Sequence, residues 1–455
     1  MLQPVTRRVF AGGLIGAAVC RPQDSGRAVI DEARARIPSI RMRDVEMHLT
    51  DPAGKPLPRI PVEIVQTRQA FRFGDQTWEL DRMFRDGRQD GDRCRYWKLR
   101  FSEVLNSATA LCYWTERYTR DAPKTEDLQG ELKTDAFAYC VDWAAAQGLT
   151  VKGHPLFWPT PKAIPDWVKR YDYATQLKFA EVRVRQLVSR FRGRVQIWDV
   201  VNEALWEPSF RHLADRHWPH LEAIPEIAEY VGQVLTWARE EDPDACYVLN
   251  DYGLEQDPAS GPPVASDGTR ATAELQRTRM LQLVGKLVAQ GTPPGAIGLQ
   301  SHPDRPMDPA GQRRLWDQMA ATGLPVHITE FGYDDNDKQR AADYVADAMT
   351  CAFGHPAVEA FFFWGFGGVS WNDPSGSGHT LEPVYQRVRD LLRKEWMTRA
   401  SLVSDEGGRI RFRGFFGDYT LRYPTRPGMK EGIPFTVGRQ HGMPVAVTLR
   451  FAQGA

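Results

Sequence analysis

From about residue 66 to residue 397 the chain alternates short apolar runs with longer amphipathic stretches, and this alternation restricts the fold more than any other feature. Such a pattern builds a parallel sheet with helices packed outside it. Eight strand candidates can be placed: Phe71–Gly74, Phe101–Ala108, Thr150–Trp158, Val195–Glu203, Cys246–Asp251, Ala296–His302, Pro325–Phe331 and Glu359–Phe366. Helical candidates lie between them at Ala174–Arg192, Ile224–Glu240, Ala271–Gln290, Pro309–Ala321 and Lys338–Phe353. Eight strand–helix units are what a closed α/β barrel, the (β/α)8 TIM barrel, requires. The alternative is an open doubly wound sheet. No strand candidate is followed by a G-x-G-x-x-G or Walker-type loop, which counts against it.

The flanks read differently. Residues 1–25 carry Thr6-Arg7-Arg8-Val9-Phe10 and a small apolar run from Ala11 to Cys20, the pattern of a twin-arginine export signal. The expected location is therefore periplasmic or extracellular, with no membrane span. Cys20 is a lipoprotein candidate, although Val19 before it fits a lipobox poorly. Residues 26–65 read as a helix followed by a β-hairpin around Asp51-Pro52-Ala53-Gly54. Residues 398–455 alternate again, as in Arg409–Phe415, and form a small all-β domain.

The 455 residues balance 58 Lys and Arg against 58 Asp and Glu, so no charged footprint points to nucleic acid. Six cysteines include no C-x-x-C pair, which gives neither a zinc motif nor a disulfide framework. The 14 Trp are more suggestive, because flat aromatic faces stack on the apolar CH faces of pyranose rings.

In a TIM barrel the chemistry sits where the strands end. The fourth strand ends Trp198-Asp199-Val200-Val201-Asn202-Glu203 and the seventh ends His327-Ile328-Thr329-Glu330, so each delivers a carboxylate to one rim. Glycoside hydrolysis needs such a pair, one protonated to assist the leaving oxygen and one ionised to attack. Gly153–Trp158 adds His154 and Trp158; Asn250-Asp251-Tyr252, Gln300-Ser301-His302 and Trp364 with Trp371 come from other strand ends. Strict alternation would point Asn202 and Glu203 in opposite directions, so both can serve the site only if the strand bulges or twists at its end.

These motifs, between roughly Val62 and Leu392, resemble glycoside hydrolase family 10, the endo-β-1,4-xylanases. The resemblance implies a retaining hydrolase of β-1,4-linked plant-type polysaccharide, xylan above all, needing no cofactor or metal. It implies Glu203 as acid/base, Glu330 as nucleophile, and Asn202 on the 2-OH of the sugar at subsite −1. His154 and Trp158 would line that subsite. His302, held with Gln300, would orient Glu330. Trp364 and Trp371 would form an aromatic wall, and Tyr252 would stand on the leaving-group side.

One stretch departs from the family. Where its members carry E-N-x-x-K-W after the second strand, this chain has Asn106-Ser107-Ala108-Thr109-Ala110-Leu111-Cys112-Tyr113-Trp114. The polar groups that grip sugars on the non-reducing side are missing, and Tyr113 and Trp114 are the candidates to replace them. Pro159 stands where many members have a polar residue. Three other readings follow. One is a hydrolase of a different or decorated β-glycan. Another is a carbohydrate-binding protein without activity. The third, a metal-dependent barrel hydrolase, lacks the H-x-H that such sites use.

Overall fold

The computed structural model describes residues 22–114, 124–127, 130–206, 221–365, 383–426, 429–439 and 445–449. The described residues begin with helix α1 (Pro22–Arg41) and strands β1 (Met42–Thr50) and β2 (Pro61–Gln69). Eight parallel strands follow: β3 (Arg72–Gln76), β4 (Ser107–Leu111), β5 (Thr150–His154), β6 (Ile197–Asn202), β7 (Cys246–Asp251), β8 (Ala296–Leu299), β9 (Val326–Phe331) and β10 (Val358–Phe363). They close in the order β10-β3-β4-β5-β6-β7-β8-β9, which is the TIM barrel. Around it run α2 (Trp78–Arg85), α3 (Asp92–Val104), α4 (Asp135–Ala146), α5 (Tyr173–Arg190), α6 (Ile224–Glu241), α7 (Ala273–Ala289), α8 (Pro309–Ala320), α9 (Lys338–Phe353) and α10 (Pro383–Asp390). No described helix is long and apolar enough to cross a membrane.

Local chemistry explains where these helices start. Asp172, Thr272, Asp308 and Asp337 each accept a backbone N–H of the first turn of α5, α7, α8 and α9. Strand β6 is buried at every position, because one face fills the barrel and the other meets the helices. Gly153 shows how tightly the interior is filled: a Cβ there would come within 2.4 Å of the Trp198 ring.

The second strand lies later than its apolar run suggests. Phe101 and Val104 belong to α3, where Cys94, Trp97, Phe101 and Val104 form one buried stripe at helical spacing. The strand is Ser107–Leu111. The last turn of α3 is short and apolar and runs almost directly into the strand, so the apolar run alone does not separate the two.

The expected β-hairpin between β1 and β2 does not form. Strand β1 pairs antiparallel with β12 (Arg409–Phe415) and parallel with β15 (Val445–Thr448). Strand β2 joins β11 (Arg399–Val403), β13 (Gly417–Arg426) and β14 (Met429–Val437) in a second sheet. The two sheets face each other over Val45, Met47, Leu49, Val62, Ile64, Ile410, Tyr419 and Leu421. Residues from 26–65 and from 398–455 therefore make one β-sandwich. Alternation shows which face of a strand is buried, not which strand lies beside it.

This sandwich sits at the N-terminal end of the barrel. Arg41 donates to the carbonyls of Phe353, His355 and Val358, each at 2.7 Å, where α9 ends and β10 begins. Arg68 reaches Thr150 at the start of β5. The opposite end is left to the strand tips that carry Glu203 and Glu330.

Candidate functional site

Glu203 follows the last residue of β6 with φ +59°, a left-handed geometry that few non-glycine residues adopt. The register between β6 and β7 also shifts between Asp199 and Val201. Bulge and turn together resolve the alternation problem, and Asn202 and Glu203 both reach the site. Trp158 Nε1 donates to Glu203 Oε2 at 2.8 Å, and Gln300 Nε2 donates to Glu203 Oε1 at 3.0 Å.

Glu330, on β9, is buried among donors. Asn250 Nδ2 donates to its Oε1 at 2.7 Å, His302 Nε2 lies 3.2 Å from its Oε2, and His154 Nδ1 stands 3.6 Å from its Oε1. Burial alone would favour the neutral acid. His154, His302 and Lys152 outweigh it and hold the carboxyl below the ordinary glutamate range. The contact acts on His302 in return. Burial works against the imidazolium, but Glu330 raises its basicity above the usual histidine value.

Beneath this pair lies a second buried group of charges. Lys152 Nζ donates to Asp199 Oδ2 at 2.7 Å and to the Thr329 carbonyl at 3.2 Å, with neither ionic side chain exposed. His154 Nδ1 meets the same Asp199 oxygen at 2.7 Å. Since a carboxylate only accepts, His154 must carry its proton on Nδ1 there. Its Nε2 has no partner among the described residues and can serve a hydroxyl. Desolvation opposes the Asp199 charge, yet Lys152 and His154 keep its acidity below the usual aspartate value.

Asn250 ties the two halves together. Its Nδ2 donates to Asn202 Oδ1 at 2.8 Å as well as to Glu330, while its Oδ1 accepts from Thr329 Oγ1. Gln300 Nε2 also reaches Asn202 Oδ1, at 3.2 Å. Both donors meet the Asn202 oxygen, which leaves its Nδ2 pointing the other way, where it has no partner among the described residues. A Cβ at position 298 would stand 2.7 Å from Asn250 Oδ1, which explains the glycine on β8.

Residues 121–383 match the model of glycosyl hydrolase family 10. The chain belongs to this family. It is 28% identical over 420 residues to the anti-sigma-I factor RsgI6 of Acetivibrio thermocellus, covering 91% of this chain and 49% of that protein. Endo-1,4-beta-xylanase 2 of Arabidopsis thaliana is 24% identical over 406 residues, covering 88% of this chain and 34% of its own length. The chain thus spans half or less of these relatives. Among solved structures, xylanase 10B of Thermotoga petrophila, crystallised with xylobiose, superposes with a TM-score of 0.53 at 22% identity. That match covers 72% of this chain and 95% of the other and shows the shared fold.

Within this family 10 barrel most expected residues converge. Tyr113 packs against the rings of His154 and Trp158 at 5.9 and 5.8 Å, and Trp364 meets His154 at 4.9 Å. Tyr252 stacks on Trp206 at 5.0 Å with 14° between the planes. Two expectations need correction. Gln300 was assigned to hold His302, but its amide reaches Glu203 and Asn202 instead. Trp114 was a candidate for sugar stacking, but its Nε1 donates to Glu126, the Arg183 guanidinium lies over its ring at 5.3 Å, and it is part of the main core. Trp371 lies outside the described residues.

Sequence reasoning gave no role to Lys152, Asp199, Asn250 or Trp78. Trp78 packs against Tyr113 at 6.2 Å, beside a small cluster of Leu111, Tyr113, Trp158 and Ala163. Lys152 had a signal: a lysine two residues before His154 on an apolar strand shares the histidine's inward face. Asp199 lay inside the Trp198–Glu203 motif. His154, Asp199 and Glu330 offer ligand atoms within 4.8 Å of one another, a spacing that could hold a metal ion. The Lys152 ammonium already occupies the Asp199 oxygen, and its charge would repel a cation brought to the same place.

Proposed function

We propose that this chain is a retaining glycoside hydrolase acting on β-1,4-linked, xylan-type polysaccharide. The observation that carries the reading is the unequal treatment of two neighbouring carboxyls. Glu330 is buried, faced by two imidazoles and an amide, and kept ionised. Glu203 is contacted by an indole N–H and an amide N–H and stands on a left-handed turn at the rim. The first suits a nucleophile and the second an acid/base.

The steps follow from that division. A Glu330 oxygen attacks the anomeric carbon while Glu203 gives its proton to the departing glycosidic oxygen. Glu203 then takes a proton from water, which breaks the glycosyl–Glu330 bond and restores both groups. The Asn202 Nδ2 hydrogens, which have no partner among the described residues, suit the 2-OH of the reacting sugar, a contact that strengthens as the ring distorts. The paired rings of Trp206 and Tyr252 suit the leaving-group side. The similarity to xylanases supports xylan as the polymer. The twin-arginine pattern supports action outside the cytoplasm.

The test is hydrolysis of β-1,4-xylan followed by NMR of the newly formed anomeric centre. First-formed product of β configuration supports the proposal, and an α product would refute double displacement. The similarity to an anti-sigma factor over 91% of the chain favours a second reading, a polysaccharide-binding module of a regulator. Xylan binding without any release of reducing sugar would decide for it.

A further inference from the structure

One ionisable side chain outside the two carboxyls touches the backbone segment that serves both. Glu255 lies in the loop after β7. Its Oε1 accepts from both the backbone N–H and the Oγ hydroxyl of Ser301, each at 2.9 Å. Its Oε2 accepts from Leu254 N at 3.1 Å, and Arg277 of α7 holds that loop by donating to the Leu254 carbonyl at 3.1 Å. Ser301 has φ +59°, a left-handed conformation that disfavours side chains. The residue before it, Gln300, donates to Glu203, and the residue after it, His302, meets Glu330.

Geometry explains why the turn matters. In an extended strand, residues two apart lie on the same face about 6–7 Å from each other. A left-handed residue between them breaks that alignment and lets Gln300 and His302 diverge toward different carboxyls. Ser301 needs compensation to stay in that shape, and one carboxylate oxygen taking both its donors provides it. We propose that Glu255 is a positioning residue for both carboxyls, locking Ser301 in the left-handed turn that aims Gln300 at Glu203 and His302 at Glu330. The proposal rests on the assignment of those two carboxyls to the chemistry. The charge of Glu255 works in the same direction. His302 is faced by Glu330, Glu255 and Glu203, and all three favour its imidazolium against burial.

The experiment compares Glu255→Ala, Glu255→Gln, Ser301→Gly and the double variant Glu255→Ala with Ser301→Gly. Activity is read on xylan and on an aryl β-xyloside. Glu255→Ala should lower kcat by about 10–100-fold, since a misplacement of about 1 Å around the reacting atoms can cost on the order of 10²-fold, with KM nearly unchanged. Adding Ser301→Gly should restore most of that kcat, because glycine holds positive φ unaided. Glu255→Gln keeps an acceptor for Ser301 and should retain most of kcat, while the pH at which His302 loses its proton falls in imidazole NMR.

A purely structural role would lower the Tm of Glu255→Ala and give no rescue by glycine, and that result overturns the proposal. So does a crystal structure of Glu255→Ala with Gln300 and His302 still on their carboxyls and kcat unchanged. Should the wild-type chain hydrolyse nothing, the proposed function fails. The variant structure and the imidazole titration then still decide whether Glu255 positions the turn.

Discussion

At the C-terminal end of the barrel, Glu203, Gln300, Asn202, Asn250 and Glu330 form one unbroken chain of hydrogen bonds, with Lys152 and Asp199 buried below it. At the N-terminal end Arg41 closes three carbonyls beneath an apolar sandwich. The first end keeps polar atoms without partners among the described residues, the Asn202 Nδ2 donor and the His154 Nε2 acceptor. At the second end Arg41 places its donors on backbone carbonyls of the fold itself. Polar atoms left open beside two carboxyls can meet the hydroxyls of a ligand, whereas carbonyls already closed by a guanidinium cannot.

The sharpest way to break this comparison is to remove the carboxyls one at a time. Glu330→Ala should lose at least about 10⁴-fold in kcat on every substrate, since no covalent intermediate can form. Glu203→Ala should lose about 10²–10⁴-fold on xylan. It should keep much of its rate of intermediate formation on aryl glycosides with good leaving groups, and azide should rescue its turnover as a β-glycosyl azide. Kinetics on both substrate types check this. Equal collapse of the two variants, with no rescue, would contradict the assignment.

Lys152→Met strikes the layer below. It leaves Asp199 as a buried charge with one partner fewer, and breaking a buried pair costs about 3–5 kcal/mol. It should also move the acid limb of kcat/KM. Glu330 has a depressed folded pKa, so its ionised form, and the stability it contributes, persists above the ordinary value of about 4.3 and fades as pH falls through the lower folded one. Lys152 contributes to that depression, and without it the acid limb should begin at higher pH. Denaturant unfolding and a pH–rate profile read the two effects. An unchanged acid limb would mean that the histidines alone set the Glu330 charge.

Arg41→Met is the matching change at the other end. It orphans three buried carbonyls at about 1–3 kcal/mol each, partly offset because a buried guanidinium is itself costly. Burial and the nearby Arg439 already push its pKa down to about 9. A net loss of about 2–4 kcal/mol is expected, with kcat per folded molecule unchanged. If kcat falls with stability, the two ends are coupled and the contrast drawn above is wrong.

The same contrast explains what could be read from the sequence. Helices α5 to α9 were legible to within two residues because caps such as Asp308 and Asp337 mark their starts and a 3.6-residue stripe marks their length. Glu203 and Glu330 were legible because a barrel brings strand ends to one rim. Partners were not. Strand β1 pairs with residues more than 360 positions away, as Met47 does with Ile410, and no local pattern encodes that choice. Nor could sequence say that Gln300 turns to Glu203. That depends on the backbone at Ser301, where a serine rather than a glycine holds positive φ. Trp114 failed for a related reason, since adjacent aromatics after β4 point to opposite sides and only Tyr113 meets the cleft rings.

The smallest expected effect concerns specificity on the non-reducing side. The stretch that carries E-N-x-x-K-W in the family here brings Leu111 and Tyr113 to the site, backed by Trp78, Trp158 and Ala163. Asn106 serves the barrel base instead, donating to the Gln69 and Phe71 carbonyls at 3.0 and 2.8 Å. Sugars there would meet ring faces where the family offers hydrogen bonds, and each lost bond should cost about 1–3 kcal/mol. Stacking depends little on the pattern of hydroxyls, so it tolerates substituents that directed hydrogen bonds reject. Linear xylo-oligosaccharides should therefore be poor substrates relative to substituted xylans or other β-glycans, compared by kcat/KM. Trp78→Ala should reduce kcat/KM on the decorated polymer by about 0.5–1.5 kcal/mol beyond lost area, that is, roughly 2–13-fold. Linear xylo-oligosaccharides proving the best substrates, with Trp78→Ala neutral, would mean that groups other than this apolar wall have taken over the grip.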